Sequence, residues 1–222
     1  MDIIKLKDRS KYLKSQIERS IDKFSYCKLD IDESLAFHLI LNSVNVKSGP
    51  ILCLGTRNGR EIDLFRNVFF KNRLIVMLIK FFQRRKNGFT SILPMIEGFG
   101  RSKVSSINDK SVIGVEINPN AVRKDVLIGS FDEMPVDWND KFSILYSNSF
   151  DQSQDPYKTA EEWKRVICKG AILILGFTNL RAPFISDPVG NLEYTDFIDL
   201  FGGELIYFDK NTFNYSYIIL KL

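Results

Sequence analysis

Residues 50 to 61 read Pro-Ile-Leu-Cys-Leu-Gly-Thr-Arg-Asn-Gly-Arg-Glu, an apolar run that ends at Gly55, with a second glycine at Gly59. A continuous apolar run suits a strand covered on both faces, as parallel strands of α/β sheets are. The glycines mark a tight turn into a helix, and the second lets the helix N-terminus come close to a ligand. Such a turn aims free backbone N–H groups and a positive dipole end at whatever lies above the strand. It fits neither GxGxxG, whose middle glycine would stand at Arg57, nor a P-loop, which needs a GK[ST] ending.

Three more pieces follow. Residues 111–120 carry a β-branched run that ends in Glu116-Ile117-Asn118-Pro119. A carboxylate at the end of a strand beside a nucleotide-binding turn can accept both hydroxyls of a ribose. The third piece is Val126-Leu127-Ile128-Gly129-Ser130-Phe131-Asp132-Glu133-Met134-Pro135, followed by a strand over 141–147 and the loop Asn148-Ser149-Phe150-Asp151-Gln152. The fourth is a helix over 157–168, carrying Glu161, Arg165 and Val166, that steps through Gly170 into a strand over 172–177.

In order and spacing these pieces resemble the motifs of the class I S-adenosyl-L-methionine (SAM)-dependent methyltransferases, in the variant with arginine for the middle glycine. The resemblance covers roughly residues 50 to 178. It implies SAM as cofactor, held by Gly55, Arg57, Gly59, Glu116, Ile117, Ser130, Phe131 and Asn148, with Glu116 on the ribose. Four departures bear on mechanism. Cys53 stands where many members carry an acid that contacts the methionine amino group, and Ser130 where an aspartate meets the adenine amine. Asp151 and Gln152 replace a Glu-His pair. A neutral hydroxyl forms a bond about half as strong as a charge-assisted one, so weaker cofactor binding is one expectation.

The 222 residues suffice for one domain with a sizeable core, and 45% hydrophobic with 26% charged residues is a globular composition. The first residues lack the apolar stretch of a secretory signal, and no apolar run reaches the roughly 18 residues of a membrane span. Cys27, Cys53 and Cys168 are scattered, which argues for reduced thiols in the cytoplasm and against a zinc site. No metal is expected. The spacing predicts a helix over 10–24, capped by Ser10, with Leu13, Ile17, Ile21 and Phe24 aligned. A second helix, from a cap at Asp32 through Val44, places Leu35, Leu39 and Ile40 on one face. His38 reads as a half-buried helix residue rather than a base.

Gly55 and Glu116 lie much further apart than the roughly 20 residues usual in this unit, which requires an insertion at about 70–110. Residues 66–110 hold ten basic residues against two acidic ones. Apolar residues 74–79 and 81–82 run directly into Gln83-Arg84-Arg85-Lys86, as in an interfacial helix or a surface for an acidic partner. That suggests peripheral contact with a membrane or protein; nucleic acid is disfavoured because the rest of the chain is acidic.

The expected architecture is an N-terminal helical lead (1–48) and a methyltransferase-like domain (49–222). The domain is a doubly wound α/β fold with a seven-stranded, mostly parallel sheet and a terminal antiparallel hairpin. The loop over 178–188, with Pro183 and Pro188, is expected to help form an acceptor pocket. The expected activity is methyl transfer to a small-molecule or glycan-type acceptor, with Asp151 as base and Asn148 orienting it. The alternative is a methyltransferase-like binding or scaffold protein without catalysis. A nicotinamide-dependent dehydrogenase is disfavoured by the absent GxGxxG.

Overall fold

A computed structural model describes residues 1–6, 8–46, 49–70, 106–178, 181–210 and 215–222. Most of the basic insertion, with its apolar run and arginine cluster, lies outside the described residues. In chain order the elements are β1 (Asp2–Ile3), α1 (Arg9–Asp22), α2 (Ile31–Ser43), β2 (Ile51–Leu54), α3 (Arg60–Phe70), β3 (Val112–Glu116), β4 (Val126–Ile128) and β5 (Phe142–Ser147). The remainder are α4 (Pro156–Val166), β6 (Ile167–Thr178), β7 (Val189–Gly190), α5 (Tyr194–Phe201), β8 (Glu204–Lys210) and β9 (Tyr215–Lys221).

Seven strands form one sheet in the order β4-β3-β2-β5-β6-β9-β8. Neighbours from β4 to β6 are parallel, and β9 runs antiparallel to both β6 and β8. This is the doubly wound, mostly parallel sheet that the sequence predicts. The alternation of β2 shows why the run Ile51–Leu54 is apolar throughout. Leu52 and Leu54 enter a core with Trp163 of α4 and Phe197 of α5, while Ile51 and Cys53 enter the opposite core with Phe37 of α2 and Phe65 of α3. Both faces of the strand are therefore dry. Trp163 anchors the first core, its ring 5.4 Å from Phe150, and its Nε1 donates to the Phe131 carbonyl at 3.1 Å. The packing thus fixes the start of the loop after β4.

Several boundaries differ from expectation. Asp8, not Ser10, caps α1 by accepting from the Lys11 amide. The cap of α2 is Asp30, not Asp32, because Glu33 sits three residues on and completes a capping box. Strand β6 begins at Ile167 instead of 172, since Ile167 pairs with Phe142 before the register shifts and Gly170 turns at φ +79°. The aligned apolar residues reach the core only in part: Ile21 and Phe24 are exposed and Leu39 is 63% exposed, whereas Leu35 and Ile40 pack against buried residues. The buried face of α1 is Tyr12, Gln16 and Ser20; that of α2 is Ile31, Ser34, Phe37 and Leu41. His38 lies half-buried on α2, its ring 4.8 Å from Phe69. Among the described residues no helix is long and apolar enough to cross a membrane, and no group of three or more His, Cys, Asp or Glu could hold a metal.

Candidate functional site

The strand order reverses at β2, with β3 and β4 on one side and β5 and β6 on the other. The crevice at the carboxyl ends of β2 and β5 is therefore the switch point where open α/β sheets bind ligands. Three residues of the turn after β2 have left-handed backbone: Gly55 (φ 74°), Arg57 (φ 48°) and Gly59 (φ 76°). A side chain at Gly55 would stand 2.6 Å from the Ser149 hydroxyl, so the turn and the loop after β5 can touch only across a glycine. Arg57 occupies a region that costs a non-glycine residue about 1–2 kcal/mol. Its amide is thereby aimed at Glu116 Oε2, 2.7 Å away.

Glu116 ends β3 and is 3% exposed. Besides Arg57, it accepts from the Asn118 amide at 3.0 Å and from the Ser20 hydroxyl of α1 at 2.7 Å, both on Oε1. A hydroxyl thus already stands on the carboxylate. Ile117, Ser130, Phe131 and Asp132 form the pocket wall beyond it. Ser130 Oγ accepts from the Asp132 amide at 3.1 Å, and Asp132 Oδ1 accepts from the Thr159 hydroxyl at 2.6 Å. Burial raises the proton affinity of Asp132.

At the other end, Asp151 has one carboxylate oxygen shielded from solvent with no hydrogen-bond partner. Burial, and then the Asp187 carboxylate, push its pKa up to about 7. Asn148 Oδ1 accepts from the Ser149 hydroxyl at 3.2 Å, and no bond runs from Asn148 to Asp151. Of the residues predicted for the site, Gly55, Arg57, Glu116, Ile117, Ser130 and Phe131 share this pocket; Gly59, Asn148 and Asp151 stand outside its lining. Gly59 is a glycine for packing, because a Cβ there would meet Arg123 Cδ and Nε at 2.9 Å.

Helix α1 roofs the pocket with its polar face. Tyr12 donates its hydroxyl to the Gln152 carbonyl, Gln16 donates to the Ser186 carbonyl at 2.6 Å, and Arg19 forms a double ion pair with Asp187. Beneath it the partly open pocket leaves about 40 Å³ of free space, enough for roughly three waters. Sequence reasoning missed Tyr12, Gln16, Arg19, Ser20 and Asp132. The alternation of polar residues at positions 12, 16, 19 and 20, one helical face, was the available signal.

Cys53 faces away from the pocket, into the core behind the turn. There Glu61, 3% exposed, has one oxygen with no partner, and burial raises its pKa to about 7.

No family model matches the chain, and no curated protein matches it. Solved structures do resemble it. One is a Burkholderia thailandensis 1,6-didemethyltoxoflavin-N1-methyltransferase with 1,6-didemethyltoxoflavin and S-adenosylhomocysteine bound, at 9% identity and TM-score 0.59, covering 97% of this chain and 91% of that one. Another is a SAM-dependent methyltransferase from Aquifex aeolicus, at 13% identity and TM-score 0.51, covering 87% and 99%. The [4+2]-cyclase SpnF is similar too, at 10% identity and TM-score 0.53, covering 96% and 93%. At such identities the likeness carries the fold: the chain has the fold of class I SAM-dependent methyltransferases. A cyclase on the same scaffold shows that the reaction must be argued from the site.

Proposed function

We propose that this chain is a SAM-dependent methyltransferase acting on a small-molecule or glycan-type acceptor in the cytoplasm. The observation that carries the reading is Glu116: a buried carboxylate at the switch point, fixed by two backbone amides, with a hydroxyl already on it. The ribose hydroxyls take the place of Ser20 Oγ. Phe131 and Ile117 supply apolar walls for the adenine, and Asp132, adjacent to Ser130, supplies the acceptor for its amine. The turn from Gly55 to Arg57 borders the methionine portion. In this reading residues 1–48 form the roof and residues 49–222 the binding domain. The three cysteines are free, in keeping with a reducing compartment. Contact with a membrane surface or protein through the basic insertion belongs to the same reading, and nucleic acid does not.

When bound, SAM supplies a methyl group on an already reactive sulfonium, so much of the catalysis is positioning. Asp151 stands in the loop after β5 between Ser149 and Gln152 of the pocket lining and is the base for a hydroxyl acceptor, a role that its pKa of about 7 suits. Asp151→Asn is then expected to lower turnover while leaving cofactor affinity unchanged; equal loss of both contradicts the role.

Thermal unfolding with added nucleotide tests the assignment. S-adenosylhomocysteine should raise Tm in a concentration-dependent way and NADH should not. A rise with NADH alone overturns it.

A further inference from the structure

Four cations gather where α1 meets the pocket. Arg19 and Arg57 line the pocket, from the roof and from the turn after β2. Arg181, from the segment after β6, shares the buried Asp187 with Arg19, its Nη1 3.3 Å from Oδ2. Lys23 lies one helical turn beyond Arg19. Repulsion from Arg19 first, then partial burial, then Arg57 and Arg181, lowers the proton affinity of its ammonium, with Asp187 opposing.

The group is short of negative charge. Asp187 is the one carboxylate in ion-pair contact with any of the four among the described residues, and Arg19 already holds both its oxygens. Among the described residues the Arg57 guanidinium reaches the Tyr26 carbonyl, at 3.4 Å, and the face of the Tyr26 ring. Arg181 is 46% exposed and sits over the Phe184 ring. Nearby, the pKa of Asp151 is pushed up to about 7, so it offsets the excess only in part, and Glu116 is taken up by two backbone amides and the Ser20 hydroxyl. Like charges held together without counter-charge repel, so this rim is suited to an anionic group bound from solution.

We propose that the acceptor is a small molecule bearing a carboxylate or phosphate, which Lys23, Arg57 and Arg181 hold at the rim while its nucleophile points inward toward Asp151. The inference rests on the methyltransferase reading and narrows its substrate class. Guanidinium groups pair with such anions through two parallel hydrogen bonds, giving orientation as well as affinity. Neutral and cationic acceptors lack this anchor.

The rim could instead serve the cofactor's own carboxylate, so the test compares two nucleosides. S-adenosylhomocysteine carries the carboxylate and 5′-methylthioadenosine does not. Calorimetry on wild type, Lys23→Gln and Arg181→Gln should show both nucleosides binding all three proteins equally. Inorganic phosphate should bind the S-adenosylhomocysteine-loaded wild type and bind each variant about tenfold more weakly. The Lys23 side chain is exposed and, among the described residues, its ammonium is in no ion pair, so its variant folds even if the Arg181 change disturbs Asp187. The proposal is overturned if phosphate does not bind the loaded wild type. It is also overturned if the variants lose S-adenosylhomocysteine but keep methylthioadenosine, which would give the cations to the cofactor. If the wild type binds neither nucleoside, the methyltransferase reading fails, and phosphate binding to the unloaded protein, weakened in Lys23→Gln, then separates a genuine anion rim from none.

Discussion

Ser20→Ala removes the hydroxyl that stands on Glu116 beneath α1, and the sign of its effect on cofactor affinity follows from the geometry. The bond is 2.7 Å long and ends on a buried carboxylate. Hydrogen bonds to charged groups contribute about 1.5–3 kcal/mol net. Ribose hydroxyls that approach Oε1 must displace Ser20, so binding in the wild type carries that cost. In the alanine variant that cost is gone. Taking the low end, since water will partly replace the hydroxyl, the variant should bind S-adenosylhomocysteine about tenfold tighter. Isothermal calorimetry at fixed salt and pH measures this, with circular dichroism confirming that the variant is folded. Adenosine should gain by a similar factor, because only the ribose competes with Ser20. Unchanged or weaker affinity in a folded variant would refute the displacement argument.

Two further perturbations read the scaffold behind the site. Glu61 has its pKa raised from 4.5 to about 7 by burial. The folded state therefore holds a proton that the unfolded state has released, and stability falls as pH rises from about 4.5 through 7. The penalty above pH 7 is roughly 3 kcal/mol, so Glu61→Gln should flatten part of the pH dependence of urea unfolding between pH 5 and 8. An identical slope in the variant would count against it. Gly59→Ala should lower unfolding free energy by roughly 2–3 kcal/mol, because alanine is strained at positive φ and its methyl meets an immobile side chain. That side chain, Arg123, is held by hydrogen bonds to Asp63 and Asp125. Gly129→Ala, where a Cβ meets nothing within 4 Å, is the control and should change stability little.

The sheet was legible because its strands are local signals. Ile51–Leu54 is apolar throughout and Val112–Glu116 is rich in β-branched residues, as doubly covered parallel strands must be. The acid at Glu116 was legible for the same reason, since its position at a strand end follows from the run before it. The roof was not. Amphipathic spacing assumes that a helix buries its apolar stripe, whereas α1 docks on a polar crevice and leaves Ile21 exposed, as is Phe24 just beyond its end. Its partners lie far away in sequence: Ser20 meets Glu116 across 96 positions, and Arg19 meets Asp187 across 168. No local pattern encodes such pairings. Asp132 was hidden by Ser130, which occupies the expected position two residues earlier. Glu61 stands in the first turn of α3, and only the packing of α3 on β2 makes it dry.

The account stands or falls on Glu116 as the ribose acceptor. Calorimetric titration of S-adenosylhomocysteine into wild type and Glu116→Ala measures that directly. The wild type should bind in the micromolar range, roughly −8 kcal/mol. The variant, stripped of charge-assisted bonds worth about 1.5–3 kcal/mol each, should bind at least a hundredfold more weakly. No binding to folded wild type, or equal binding to both proteins, would contradict the account.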